Sequence, residues 1–142
     1  MPSLRIQLEK MPTSSSLKSI LIVDDDHDIV GLIRRLLERH GYNIVGFTDP
    51  VAALRHFELD KKRFGLVISD IRMPQMNGYE LVKRVKTLKP ETKVILMSAF
   101  EISHKEFSKV LPSVKIDAFI SKPASRKQVI HLVQTCMPTA LK

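Results

Sequence analysis

Five short apolar runs punctuate the chain, at residues 20–23, 44–47, 66–68, 94–97 and 118–120. Runs that are apolar at nearly every position suit strands covered on both faces, as in a parallel sheet between helix layers. Amphipathic stretches lie between them. Ile29, Ile33, Leu36 and Leu37 form one helical stripe, with Arg34, Arg35, Glu38 and Arg39 on the other faces. Asp49 before Pro50 reads as a cap and first-turn pair that opens a helix carrying Leu54 and Phe57. A third stripe (Leu81, Val82, Val85, Leu88) follows Asn77-Gly78 and stops before Pro90. Ser103 with Glu106, and Ser125 with Gln128, match the capping-box spacing. The second of these leads into Val129, Leu132, Val133 and Cys136, whereas the helix expected around residues 107–111 has the weakest stripe. Five strands alternating with five helices predict right-handed crossovers and an open, doubly wound α/β sheet.

Pro12-Thr13-Ser14-Ser15-Ser16 is polar and turn-prone, so residues 1–17 read as a flexible N-terminal extension. The domain is expected over 18–137, with a short tail at 138–142 and no output domain. A length of 142 residues, 44% hydrophobic and 27% charged, supports one buried core and excludes wholesale disorder or a collagen-like repeat. Cys136 is the sole cysteine, which excludes an internal disulfide. There is no secretory signal pattern and no apolar run of membrane-spanning length. The expectation is a soluble, cytoplasmic protein that makes no membrane contact. The net charge of +8 suits solubility and weak attraction to polyanions.

Ligands of an open α/β sheet bind beyond the carboxyl ends of its strands. After the first run come Asp24, Asp25, Asp26 and Asp28; after the third, Ser69 and Asp70; after the fourth, Ser98; after the fifth, Ser121, Lys122 and Pro123. An Asp after a strand is often only a helix cap, and Asp26 or Asp28 suits that role. A lone Lys-Pro is usually a surface turn, and Ser98 alone carries almost no weight. Together, however, these residues place carboxylates, a hydroxyl and an ammonium at one edge. Crowded carboxylates need a cation to remain ionised together. All-oxygen ligands select a hard ion such as Mg²⁺, and the lysine and hydroxyl would contact phosphate oxygens.

The motifs Ile20-Leu21-Ile22-Val23-Asp24-Asp25-Asp26, Ser69-Asp70-Ile71-Arg72-Met73-Pro74-Gln75-Met76-Asn77-Gly78, Val94-Ile95-Leu96-Met97-Ser98-Ala99 and Phe119-Ile120-Ser121-Lys122-Pro123 give the chain its resemblance to the receiver domains of two-component response regulators. That resemblance implies a flavodoxin-like (βα)5 three-layer sandwich with strand order 2-1-3-4-5. It implies a phosphoacceptor signalling domain that takes part in its own phosphotransfer and autodephosphorylation, rather than an enzyme acting on other substrates. By position, Asp70 would accept the phosphoryl group. Asp25 and Asp70 would bind Mg²⁺ (Mn²⁺ being able to substitute), with the Arg72 backbone carbonyl as a third ligand and Asp24 acting through a metal-bound water. Lys122 would pair with the acceptor before transfer and with phosphoryl oxygens afterwards. Ser98, where many relatives carry Thr, would bond a phosphoryl oxygen, and Phe119 would be the switch aromatic that follows it. Arg72 and Phe100 flank the site and would modulate phosphoryl lifetime, with a sign that the sequence leaves open. The implied partners are a sensor histidine kinase or phosphotransfer protein, a downstream protein, and a second copy paired through the fourth strand and last helix.

Three rival readings fare worse. A degenerate receiver, acting only as an interaction module, would not keep all five polar positions. A haloacid-dehalogenase-like phosphatase needs an acid where Arg72 stands, and a flavin binder would want a hydroxyl- and glycine-rich loop in place of Asp24-Asp25-Asp26. Direct DNA binding is not expected, because Lys61-Lys62-Arg63 and Lys83, Arg84, Lys86 and Lys89 come with no DNA-binding motif and read as a solvated helix face. The five histidines show no metal-ligand spacing and are expected on the surface.

Overall fold

A computed structural model describes residues 18–99 and 114–138. Five strands, β1 (Ser19–Val23), β2 (Asn43–Phe47), β3 (Phe64–Asp70), β4 (Lys93–Ser98) and β5 (Ala118–Ser121), form one sheet in the order β2-β1-β3-β4-β5. Every neighbouring pair is parallel. The helices are α1 (His27–Glu38), α2 (Pro50–Leu59), α3 (Gly78–Leu88) and α4 (Arg126–Cys136). The helix expected around residues 107–111, with its Ser103 cap, lies outside the described residues, as does Phe100.

Alternating side chains divide each strand between two cores. Ile20, Ile22, Ile68, Ile95 and Ile120 face α1 and α4, where they meet Ile33, Leu37, Val129 and Val133. Leu21, Val23, Val67 and Leu96 face α2 and α3, where they meet Phe57, Leu81 and Val85. This is why the central strands are apolar at successive positions: β1 is buried along its whole length. The edge strand β2 is only half covered, and its terminal residues fray into intermediate burial.

Each described helix opens on a side-chain cap that satisfies an otherwise unpaired amide. Asp26 accepts from the Asp28 amide at 2.9 Å, Asp49 from Val51 at 2.9 Å, Asn77 from Glu80 at 2.9 Å and Ser125 from Gln128 at 3.1 Å. α1 ends in a reversal at Gly41, whose φ of 89° suits glycine. The Tyr42 amide there reaches back to the Leu37 carbonyl at 3.2 Å.

Two sequence expectations are corrected. Lys61–Arg63 forms a 3-10 turn leading into β3, not part of a helix face. His56 is not a surface residue like His27, His40 and His131. Its ring centroid lies 5.2 Å from that of Phe47 and 5.8 Å from that of Phe64, and its Nε2 is buried. The wide apolar face of α2 draws the imidazole in with its aromatic neighbours.

The loop after β3 is fixed by backbone contacts. The Gly78 amide donates to the Ile71 carbonyl at 2.8 Å, and the Ile71 amide donates to Met97 on β4 at 3.0 Å. A Cβ on Gly78 would overlap the Asp70 carbonyl oxygen and stand 2.9 Å from Ile71 Cα. Gly78→Ala should therefore destabilise the domain by about 1–3 kcal/mol, the usual cost of forcing atoms into a packed site. Urea unfolding should show a lower midpoint with an unchanged slope.

Candidate functional site

The parallel sheet delivers the predicted polar residues to one edge because all the strands point the same way. Asp24 and Asp25 follow β1, Asp70 ends β3, Ser98 ends β4 and Lys122 follows β5. The register sets them side by side: Val23 pairs with Ser69, Asp70 with Met97 and Ser98 with Ser121. Carboxylate oxygens of Asp24, Asp25 and Asp70 all lie within 4.8 Å of one another.

Asp24 is fully buried, and both of its oxygens are engaged. Oδ1 accepts from the Asp26 amide at 2.9 Å, and Oδ2 accepts from Lys122 Nζ at 2.6 Å. The same ammonium stands 3.3 Å from Asp70 Oδ1. The resemblance assigned Lys122 to the acceptor acid; in the structure it lies nearer Asp24, because the more deeply buried carboxylate gains more from a close counter-charge. Asp25, by contrast, is exposed.

These contacts set the electrostatics. Burial, followed by the nearby charge of Asp24, pushes the Asp70 carboxyl above the ordinary range, with Lys122 opposing the shift. For Lys122, burial acts to lower its affinity for a proton, but the hydrogen bond and charge of Asp24 and the charge of Asp70 outweigh it and raise the pKa. The acids therefore hold more negative charge than one ammonium balances, and a hard divalent cation is the natural complement. The oxygens of Asp24, Asp25 and Asp70 are close enough together to form an all-oxygen pocket for such an ion.

Ser98 is buried at the end of β4, one residue past the partner of Asp70, and its carbonyl accepts from the Lys122 amide at 2.7 Å. Arg72 is exposed in the loop after β3, two residues past Asp70. Phe119 is half-buried and packs with the α2–α3 core, whereas the adjacent Ile120 is sunk in the opposite core. The Lys122–Pro123 peptide is cis. Sequence reasoning missed what holds the loop after Asp70: Gln75 at a φ of 71°, inside a turn closed by the Met76 amide on the Pro74 carbonyl at 2.8 Å. The Asn77-Gly78 pair, which precedes the third helical stripe and ends the second family motif, is the sequence signal for that turn.

A five-stranded parallel 2-1-3-4-5 sheet flanked by helices, with acids and a lysine at its carboxyl edge, defines a flavodoxin-like domain. The chain belongs to the response regulator receiver domain family, whose model matches residues 20–134. It is 33% identical to the alkaline phosphatase synthesis transcriptional regulatory protein PhoP of Bacillus subtilis (strain 168), over 79% of this chain and 45% of that protein. The chain thus spans about half the length of that relative. A CheY-like response regulator receiver domain protein from Methanospirillum hungatei JF-1 superposes with a TM-score of 0.75 at 31% identity, covering 84% of this chain and 93% of that one. The response regulator TrrA of Thermotoga maritima, solved in complex with Mg²⁺-BeF, gives a TM-score of 0.74 at 27% identity, with 85% and 100% covered. The domain is therefore a signalling module of two-component systems. Among the described residues no helix is long and apolar enough to cross a membrane.

The raised Asp70 pKa has a defined sign. Above about pH 4 the unfolded chain has released a proton that folded Asp70 still holds, so stability falls as pH rises through the raised value. In metal-free buffer the urea midpoint of the parent relative to that of Asp70→Asn should fall as pH rises above about 4. Lys122→Met should cost about 3 kcal/mol by leaving buried Asp24 without its counter-charge, and adding Asp24→Asn should recover part of the loss.

Proposed function

We propose that Asp70 accepts a phosphoryl group from the phosphohistidine of a sensor kinase or phosphotransfer protein. The observation that carries this reading is the triangle of Asp24, Asp25 and Asp70 oxygens with Lys122 Nζ reaching both buried members. An Asp70 carboxylate oxygen forms the new bond to phosphorus in line with the departing imidazole nitrogen, which keeps the electron pair of the broken P–N bond. Mg²⁺, or Mn²⁺ in its place, supplies positive charge to the phosphoryl oxygens when bound, with Asp25 and Asp70 as carboxylate ligands and the Arg72 carbonyl as a third. Asp24, with both oxygens already engaged by protein donors, suits contact through water. Lys122 needs little displacement to reach a phosphoryl oxygen, so positioning and electrostatics do most of the work.

The acyl phosphate adds roughly −1.5 to −2 charges beside three acids. Ser98 on the neighbouring strand donates its hydroxyl to that charge, and half-buried Phe119 takes up the space this movement leaves. Arg72 and Phe100, two residues past Asp70 and Ser98, modulate how long the phosphoryl group lasts. The readout is a population shift no larger than the phosphoryl group's preference for the active state. Downstream contacts, including a second copy paired through β4 and α4, read that state in the cytoplasm.

Incubation of the chain with a phosphorylated donor and Mg²⁺ should give an acid-labile label that Asp70→Asn abolishes and Asp25→Ala reduces by at least about tenfold. Persistent labelling of Asp70→Asn would overturn the acceptor assignment. Absence of any label or Mg²⁺ response in the parent chain would favour an interaction module without phosphotransfer.

A further inference from the structure

The 2-1-3-4-5 order gathers a second set of residues at the amino edge of the sheet, opposite the acids. Lys18 precedes β1, Lys61–Arg63 precedes β3, Lys93 opens β4 and Lys115 precedes β5. These four strands are consecutive neighbours. At about 4.8 Å per strand the cations form a row roughly 14 Å long, although they are scattered along the sequence.

Two ammoniums are fixed on the intervening turn. Lys18 Nζ donates to the Lys62 carbonyl at 2.7 Å, and Lys89 Nζ donates to the Lys61 and Phe64 carbonyls at 2.9 and 2.8 Å. Their bonds are to carbonyls rather than carboxylates, so the turn orders positive charge without neutralising it. Of the acids near this edge, Asp117 is paired with Lys86, Lys93 and the Val94 amide and Glu91 acts on Lys89, so Lys18, Lys61–Arg63 and Lys115 carry the row's remaining positive charge. Lys18, Lys61, Lys62, Arg63, Lys93 and Lys115 are all exposed. The crowding is felt within the row: burial and then the charge of Lys18 lower the Lys89 pKa, with Glu91 opposing the shift.

We infer that this basic edge docks on the phosphate backbone of duplex DNA, without reading base sequence. A row about 14 Å long faces about four phosphates of one strand, at about 3.4 Å of axis per phosphate. The surface offers no exposed aromatic side chain among the described residues on which single-stranded bases would stack. Leu59, at 81% exposure, is a single apolar residue beside the turn, too little to anchor the domain in a lipid surface. The acids at the opposite edge repel the polyanion and keep the Asp70 side facing away from it. This revises the expectation that the basic residues form only a solvated face.

Fluorescence anisotropy of the full chain with a 20-base-pair duplex of arbitrary sequence tests the inference. Binding should be micromolar at low salt, with a log–log salt slope of about −3.6, the value for about four neutralised phosphates. The charge-reversal variant Lys61→Glu/Lys62→Glu/Lys115→Glu should bind at least about thirtyfold more weakly. Arg35→Glu/Arg126→Glu/Lys127→Glu removes the same net charge away from the edge and should bind within about threefold of the parent. Circular dichroism checks folding; if the triple variant does not fold, Lys62→Glu and Lys115→Glu alone should each still weaken binding. Equal losses in both triple variants, no binding by the parent, or stronger retention on phosphatidylserine vesicles than on duplex would each overturn the inference.

Discussion

The contact between Asp24 and Lys122 is the constraint on which the carboxyl edge depends. A carboxylate with no solvent exposure survives as an ion only if donors replace its water. Asp24 obtains two, the Lys122 ammonium and the Asp26 amide. The first ties the end of β1 to the segment after β5, across β3 and β4; the second shapes the turn that starts α1. A single buried charge thus fixes both the position of the ammonium and the course of the chain on either side of it. Asp25, pushed out to solvent by the same turn, is left able to accept a ligand that Asp24 has little capacity to take.

The three consecutive acids illustrate how one composition yields three tasks through environment alone. Asp24 is buried and paired, Asp25 is exposed with a carboxylate oxygen near that of Asp70, and Asp26 caps α1. The raised proton affinity of Asp70 has the same origin, since burial and Asp24 together oppose its ionisation while Lys122 only partly compensates. An arrangement that holds excess negative charge in the resting state is poised to respond to any ion or group that neutralises it.

Much of this was legible in the sequence because hydrophobic runs and cap residues act locally. Each described strand contains its predicted run, and Asp49 and Ser125 cap the helices they were expected to open. The site residues could be grouped because parallel strands deliver their ends to one edge whatever their order. The strand order itself came from family resemblance, as periodicity carries no information about lateral neighbours. The basic row has no such local signal, because Lys18, Arg63, Lys93 and Lys115 lie on separate segments and meet at one edge only through the strand order. His56 was misjudged because its burial is decided by Phe47 and Phe64 on other elements, and the preference of Lys122 for Asp24 rests on a difference in depth between two similar acids.

The close fit of Gly78 against the Asp70 backbone has a mechanical consequence. With no side chain between them, the first turn of α3 sits directly on the end of β3, so there is no soft layer to absorb a shift of that strand. A tug on the end of β3 is passed to the helix as a push on its tip. The first turn of α3 and the end of β3 are thus one mechanical unit, with Leu81, Val82 and Val85 seating the rest of the helix in the core.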